Sequence, residues 1–130
     1  MKKPKITMTI LKEDVGYSAT GKVNETFIAT QGDTFDELKV MVLDAMNLAF
    51  EDEGFTFSIN EIQFKYDLES FFDFYKVINA KALSERIGMS QSLLAQYTNG
   101  IKKPSPSQTK RILKGVQQIG RELAEVRFLL

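Results

Sequence analysis

The sequence predicts an α+β protein in two parts: a small βββαβ sheet domain, then an all-α domain closed by a long C-terminal helix. Three observations predict it. Period-two alternation of apolar residues dominates the first 66 positions and is broken by a single helical stripe, whereas the apolar spacing after residue 67 is helical throughout. The charge also changes sign along the chain. Residues 1 to 75 carry 7 Lys and Arg against 14 Asp and Glu, net −7, and residues 76 to 130 carry 10 against 3, net +7. The expected domains are therefore 1–67 and 68–130.

The elements follow in order. In KITMTILK, residues 5 to 12, Ile6, Met8 and Ile10 line one face of a strand. Glu13-Asp14-Val15-Gly16 and Val23-Asn24-Glu25 are turn sequences that bound two further strands, 16–23 and 26–31. Thr34-Phe35-Asp36-Glu37 is a capping box, in which Thr34 caps a helix and Glu37 reaches back to it. Phe35, Leu38, Val42, Ala45 and Ala49 recur at helical spacing, Met41 and Met46 widen that core stripe, and Gly54 marks the stop. Ser58 to Lys65 alternates again and predicts a fourth strand. DLESFFDFYKV, residues 67 to 77, is expected to open the second domain, with Phe71, Phe74 and Ile78 covering the helices after it. Phe72 and Tyr75 lie elsewhere and either dock the acidic domain, or Tyr75 simply shields the core edge.

Residues 78 to 105, INAKALSERIGMSQSLLAQYTNGIKKPS, read as two short helices and a sharp turn. Asn79 caps a helix from Ala80 to Ile87, Gly88 supplies the turn, and Ser90 caps a helix over about 91 to 98. Leu83, Ile87, Leu94 and Tyr97 share an apolar seam, which leaves Gln91, Ser92, Ala95 and Gln96 pointing elsewhere. Short donors and acceptors on a narrow helix suit the base edges of the major groove, and Gln suits the N6/N7 edge of adenine. A local positive field is also what phosphate neutralisation requires. Ser105-Pro106-Ser107-Gln108 then starts the last helix with a cap, a first-turn proline and a capping-box Gln. Ile112, Val116, Ile119, Leu123, Val126 and Leu130 step in a heptad pattern. The later ones, Ile119, Leu123 and Val126, make either a dimer seam or a face that packs on the acidic domain.

Composition narrows the chemistry. With no cysteine and no histidine the usual structural zinc sites, the Cys nucleophile and the commonest general base are all excluded. No Gly-rich phosphate loop is found. Asp33, Asp36 and Glu37 belong to a helix start, where carboxylates are favoured by the helix dipole, and Glu51, Asp52 and Glu53 form a surface run. Neither group offers converging carboxylates for two-metal chemistry. No enzyme activity, catalytic residue, metal or cofactor is expected. The absence of a signal peptide and of any apolar run near ~18 residues makes a cytoplasmic protein without a membrane partner the default.

ALSERIGMSQSLLAQYTNGIKKPS resembles the helix-turn-helix of the XRE or phage-repressor type through Gly88, Ser90-Gln91-Ser92, Asn99-Gly100 and Lys102-Lys103-Pro104-Ser105. The resemblance covers about a fifth of the chain. It implies Gln91, Ser92 and Gln96 as base readers and Asn99 as a phosphate contact, with Lys102 and Lys103 flanking the recognition helix as further phosphate contacts. Asp14-Val15-Gly16-Tyr17-Ser18-Ala19 and Thr30-Gln31-Gly32-Asp33-Thr34-Phe35-Asp36-Glu37-Leu38 resemble the N-terminal domain of HicB antitoxins. That second resemblance spans about half the chain and departs from the family at GKVNETFI, which lacks a Pro-x-x-Pro-Gly segment. It implies a partial ribonuclease-H-like fold, a HicA-like ribonuclease toxin as protein partner, operator DNA as second partner, and a homodimer or higher homo-oligomer. The alternative is a helix-turn-helix repressor whose acidic domain senses a ligand or oligomerises.

Overall fold

A computed structural model describes residues 2–130 and is α+β, a four-stranded mixed sheet followed by helices. The chain divides into two compact units, one ending at Phe74 and the other spanning Tyr75–Leu130. In the sheet unit β1 (Ile6–Lys12), β2 (Tyr17–Val23) and β3 (Thr26–Gly32) form an antiparallel meander. Helix α1 (Phe35–Ala49) crosses over, and β4 (Ile62–Tyr66) returns parallel to β1, giving the order β3-β2-β1-β4. The register Ile10↔Ala19 and Ile6↔Ile62 puts Ile6, Met8, Ile10, Ala19, Val23, Ile28 and Ile62 on one face. All seven are buried, with Leu38, Val42 and Met46 of α1 in the same core.

Two glycines let the first turn and the start of α1 close on the end of β3. A Cβ on Gly16, whose φ is 72°, would collide with the carbonyl oxygen of Gly32, and a Cβ on Gly32 would lie 2.8 Å from the backbone nitrogen of Leu38. Thr34 caps α1 as its sequence implies, accepting from the Glu37 amide at 3.1 Å. The Glu37 carboxylate reaches one residue further back, to the Asp33 amide at 3.3 Å.

Several expectations are corrected by packing. The fourth strand is confined to Ile62–Tyr66, because Ile59–Glu61 is a 3-10 turn in which the Glu61 carboxylate accepts from the amide and hydroxyl of Ser58. Met41 and Ala49 face solvent, since the buried arc of α1 runs through Leu38, Val42 and Met46. The helix ends at Ala49, and Gly54 instead caps a separate 3-10 turn, Glu51–Glu53.

The largest correction concerns the segment after β4, which was expected to belong to the second domain from residue 68. Helix α2 (Leu68–Phe74) packs on the sheet unit, so the division falls after Phe74. Buried Ser70 accepts from the Lys12 amide at the end of β1 (2.8 Å), and the Asp73 carboxylate accepts from the Tyr17 hydroxyl (2.7 Å) and Lys12 Nζ (3.0 Å). Phe74 stacks on Tyr17 at 4.1 Å between ring centroids and meets Phe35 at 4.6 Å. The hydrogen bond to Asp73, with burial and the carboxylate charge behind it, raises the Tyr17 pKa and holds the phenol protonated.

In the helical unit α3 (Ala80–Ile87), α4 (Gln91–Thr98) and α5 (Pro106–Ala124) surround Leu83, Met89, Leu94, Tyr97 and Ile112, all buried. Because α5 stops at Ala124 with Glu125 as its cap, Val126 and Leu130 lie beyond the helix and the heptad is cut short. Ile119 is half-buried, while Leu123 and Val126 are 66% and 46% exposed. Among the described residues no helix is long and apolar enough to cross a membrane.

Candidate nucleic-acid interface

Local sequence rules build both short helices of this site. Asn79 Oδ1 accepts from the Ala82 amide at 3.0 Å to start α3, and Gly88 ends it with φ 68°, in the left-handed region where a side chain is strained. The Met89 amide then bonds back to the Ser84 carbonyl at 2.9 Å, and Met89 drops its side chain into the core. Ser90 starts α4, its hydroxyl accepting from the Leu93 amide at 3.2 Å. The exit is equally fixed. Asn99 caps α4, Gly100 takes φ 73°, and the amides of Ile101 and Lys102 share the Gln96 carbonyl at 2.9 and 3.1 Å.

Leu94 and Tyr97 anchor the inner face of α4, so Ser92, Gln96 and Asn99, at i, i+4 and i+7, fall on the opposite stripe. All three are exposed. Gln91 is exposed too, but sits in the first turn about 100° round from Ser92, at the edge of that stripe. Lys102 and Lys103 are exposed on the segment just after α4. Among the described residues, the side chains of Gln91, Ser92, Gln96, Asn99, Lys102 and Lys103 make no hydrogen bond within the chain. Their donors and acceptors are therefore open to an external partner. The unit around them, Tyr75–Leu130, holds 10 Lys and Arg against 3 acids, net +7.

Three residues that sequence reasoning passed over tie α3 and the turn after it to α5. The Arg111 guanidinium of α5 donates to the Ile87 carbonyl from Nε (3.1 Å) and Nη2 (2.8 Å), and to the Gly88 carbonyl from Nη2 (2.6 Å). It thereby satisfies carbonyls at the C-terminal, negative end of α3 with a full positive charge. A helix end rich in orphan carbonyls was legible in the sequence, but a donor 23 residues away was not. Arg86 pairs with Glu122 at 2.7 Å, both about half exposed, tying α3 to α5 a second time. Its hydrogen bond, then that of Gln118, lowers the Glu122 pKa, so this tie is fully present above the usual carboxylate range and is lost only as pH falls through the depressed value below it.

Gly115 is the third. A Cβ there would collide with the γ2 methyl of Ile87 and come within 3.3 Å of Leu83 Cδ1, so any side chain at this position forces Ile87 or the α3–α5 crossing to shift. Gly115→Ala should therefore destabilise the helical unit by about 1 to 2 kcal/mol, although Ala is the better helix former by roughly 1 kcal/mol. Urea unfolding followed by circular dichroism measures this. A gain in stability would mean that the helices separate without cost.

No family model, curated protein or solved structure matches this chain.

Proposed function

We propose that the chain is a HicB-type antitoxin that also represses its own operon, with the sheet unit neutralising a small basic ribonuclease toxin and the helical unit binding operator DNA. The observation that carries the DNA half is the exposed amide and hydroxyl stripe of α4, free of internal partners, beside two lysines in a unit of net charge +7. In this reading α3, the Gly88 turn and α4 work as a helix-turn-helix. Ser92, Gln96 and Gln91 address base edges, while Asn99, Lys102 and Lys103 hold phosphates.

Three features of the sheet unit support the other half. The order β3-β2-β1-β4, with β4 parallel to β1, is what a partial ribonuclease-H-like sheet would have. The solvent face of α1 interleaves exposed Val40 and Leu48 with Asp36, Glu37 and Asp44, a pairing of apolar anchors with negative charge that a basic protein surface complements. Beside Leu48 an open cleft of about 430 Å³, lined by Asn47, Glu51, Gly54, Phe55 and Thr56, offers an apolar wall and a carboxylate to an inserted Lys or Arg. The unit carries no catalytic role in this proposal, and its setting is the cytoplasm.

The reading is tested by expressing the product of an adjoining reading frame alone and together with this chain. Growth arrest relieved by co-expression, with a stable complex between the two proteins, is the expected result. A folded chain that neither binds that product nor shifts DNA from upstream of its own gene would remove the proposal.

A further inference from the structure

The sheet has two edges, and they are not alike. Strand β4, five residues long, carries Lys65, a charge of the kind that discourages pairing with another sheet. Strand β3, Thr26-Phe27-Ile28-Ala29-Thr30-Gln31-Gly32, is seven residues long and has no charge and no proline. Its outward side chains Phe27, Ala29 and Gln31 are exposed, Phe27 at 68%.

Register shows which backbone groups of β3 are unpaired. The Lys12 amide is taken by the Ser70 hydroxyl and not by β2, so β1 bonds to β2 through its odd-numbered residues, paired as Thr9↔Thr20 and Leu11↔Ser18. The other set on β2, Tyr17, Ala19, Gly21 and Val23, must then bond to Gly32, Thr30, Ile28 and Thr26. The two-residue turn closed by Val23↔Thr26 demands the same assignment. The N–H and C=O groups of Phe27, Ala29 and Gln31 therefore point away from the sheet, on the strand that carries no protection.

We propose that β3 pairs antiparallel with β3 of a second copy about a two-fold axis at Ala29, joining two four-stranded sheets into one. In that register Ala29 meets the second copy's Ala29, and Phe27 meets the second copy's Gln31 twice over, using all three free residues on each strand. No charge opposes another within the ladder. Only at its ends do like charges approach, Glu25 against the second copy's Asp33, in units that each carry net −7. The association must therefore tighten as salt rises, the reverse of phosphate binding.

Amide exchange of the full chain at low and high protein concentration tests this residue by residue. The amides of Phe27, Ala29 and Gln31 are expected to slow by about tenfold or more on concentration, further in high salt. Ala29→Lys sets two lysines directly opposite and should abolish that slowing, as should Phe27→Lys. Adding Gln31→Glu to Phe27→Lys places each lysine against a carboxylate of the other copy and should restore it. Exchange at these three amides that is independent of concentration would overturn the proposal. So would slowing that survives Ala29→Lys in a variant with unchanged circular dichroism, or failure of the double variant to recover.

Discussion

A fragment ending at Tyr66 should be at least about 4 kcal/mol less stable than one ending at Phe74, because the longer one keeps α2 and the shorter one strips it. The difference comes from named contacts. Without α2 the Lys12 amide loses the Ser70 hydroxyl, Tyr17 loses both the Asp73 carboxylate and the stacked ring of Phe74, and Phe35 loses one wall of its aromatic cluster. The charge step and the alternation pattern place the domain boundary near residue 67, yet the fold is closed seven residues later. Urea denaturation of the two fragments measures the gap. Equal midpoints would mean that α2 merely rests on the sheet. The proposed neutralising activity belongs with the longer fragment, which should bind the toxin in isolation.

The second large effect is on DNA recognition. Gln91→Ala or Gln96→Ala should cost roughly 1 to 3 kcal/mol on a preferred duplex and little on random sequence, since a side chain that reads a base edge loses nothing where no correct base is offered. Lys102→Ala and Lys103→Ala should behave in the opposite way. Each removes one phosphate contact, so each should weaken all sequences alike and reduce the slope of log affinity against log salt by roughly one unit. Fluorescence anisotropy at several salt concentrations separates the two behaviours. Equal losses on both duplexes for all four variants would sink the base-reading assignment. Because Gln91 lies to one side of the Ser92–Gln96–Asn99 stripe, Gln96→Ala should be the more damaging of the two Gln substitutions.

Local rules made much of this fold legible. Asn79, Gly88, Ser90 and Ser105 each act within four residues of their own position, and each starts or stops the helix its sequence implies. Thr34 does the same. What failed to show depends on distance along the chain. Helical spacing in Asp67 to Val77 identifies an apolar face but not which unit receives it, and the aromatic cluster of Tyr17, Phe35 and Tyr66 decides that. The heptad from Ile112 to Leu130 is a pattern of spacing alone, and it continues in sequence past the point where α5 stops at Ala124. A dimer seam centred on Leu123 is therefore shorter than the spacing suggests. The six proposed DNA contacts are all exposed, as their polarity implies, but the clamp on the turn that precedes α4, Arg111 on the carbonyls of Ile87 and Gly88, joins residues far apart and leaves no local signal.

The central claim is that α4 reads duplex DNA through its exposed stripe. Selection from a random duplex library with the full chain, repeated with Gln96→Ala, tests it most directly. Enrichment of one site by the wild type, with preference relaxed at one position in the variant, is the predicted result. No enrichment, or the same site selected with the same preference by both proteins, would contradict it.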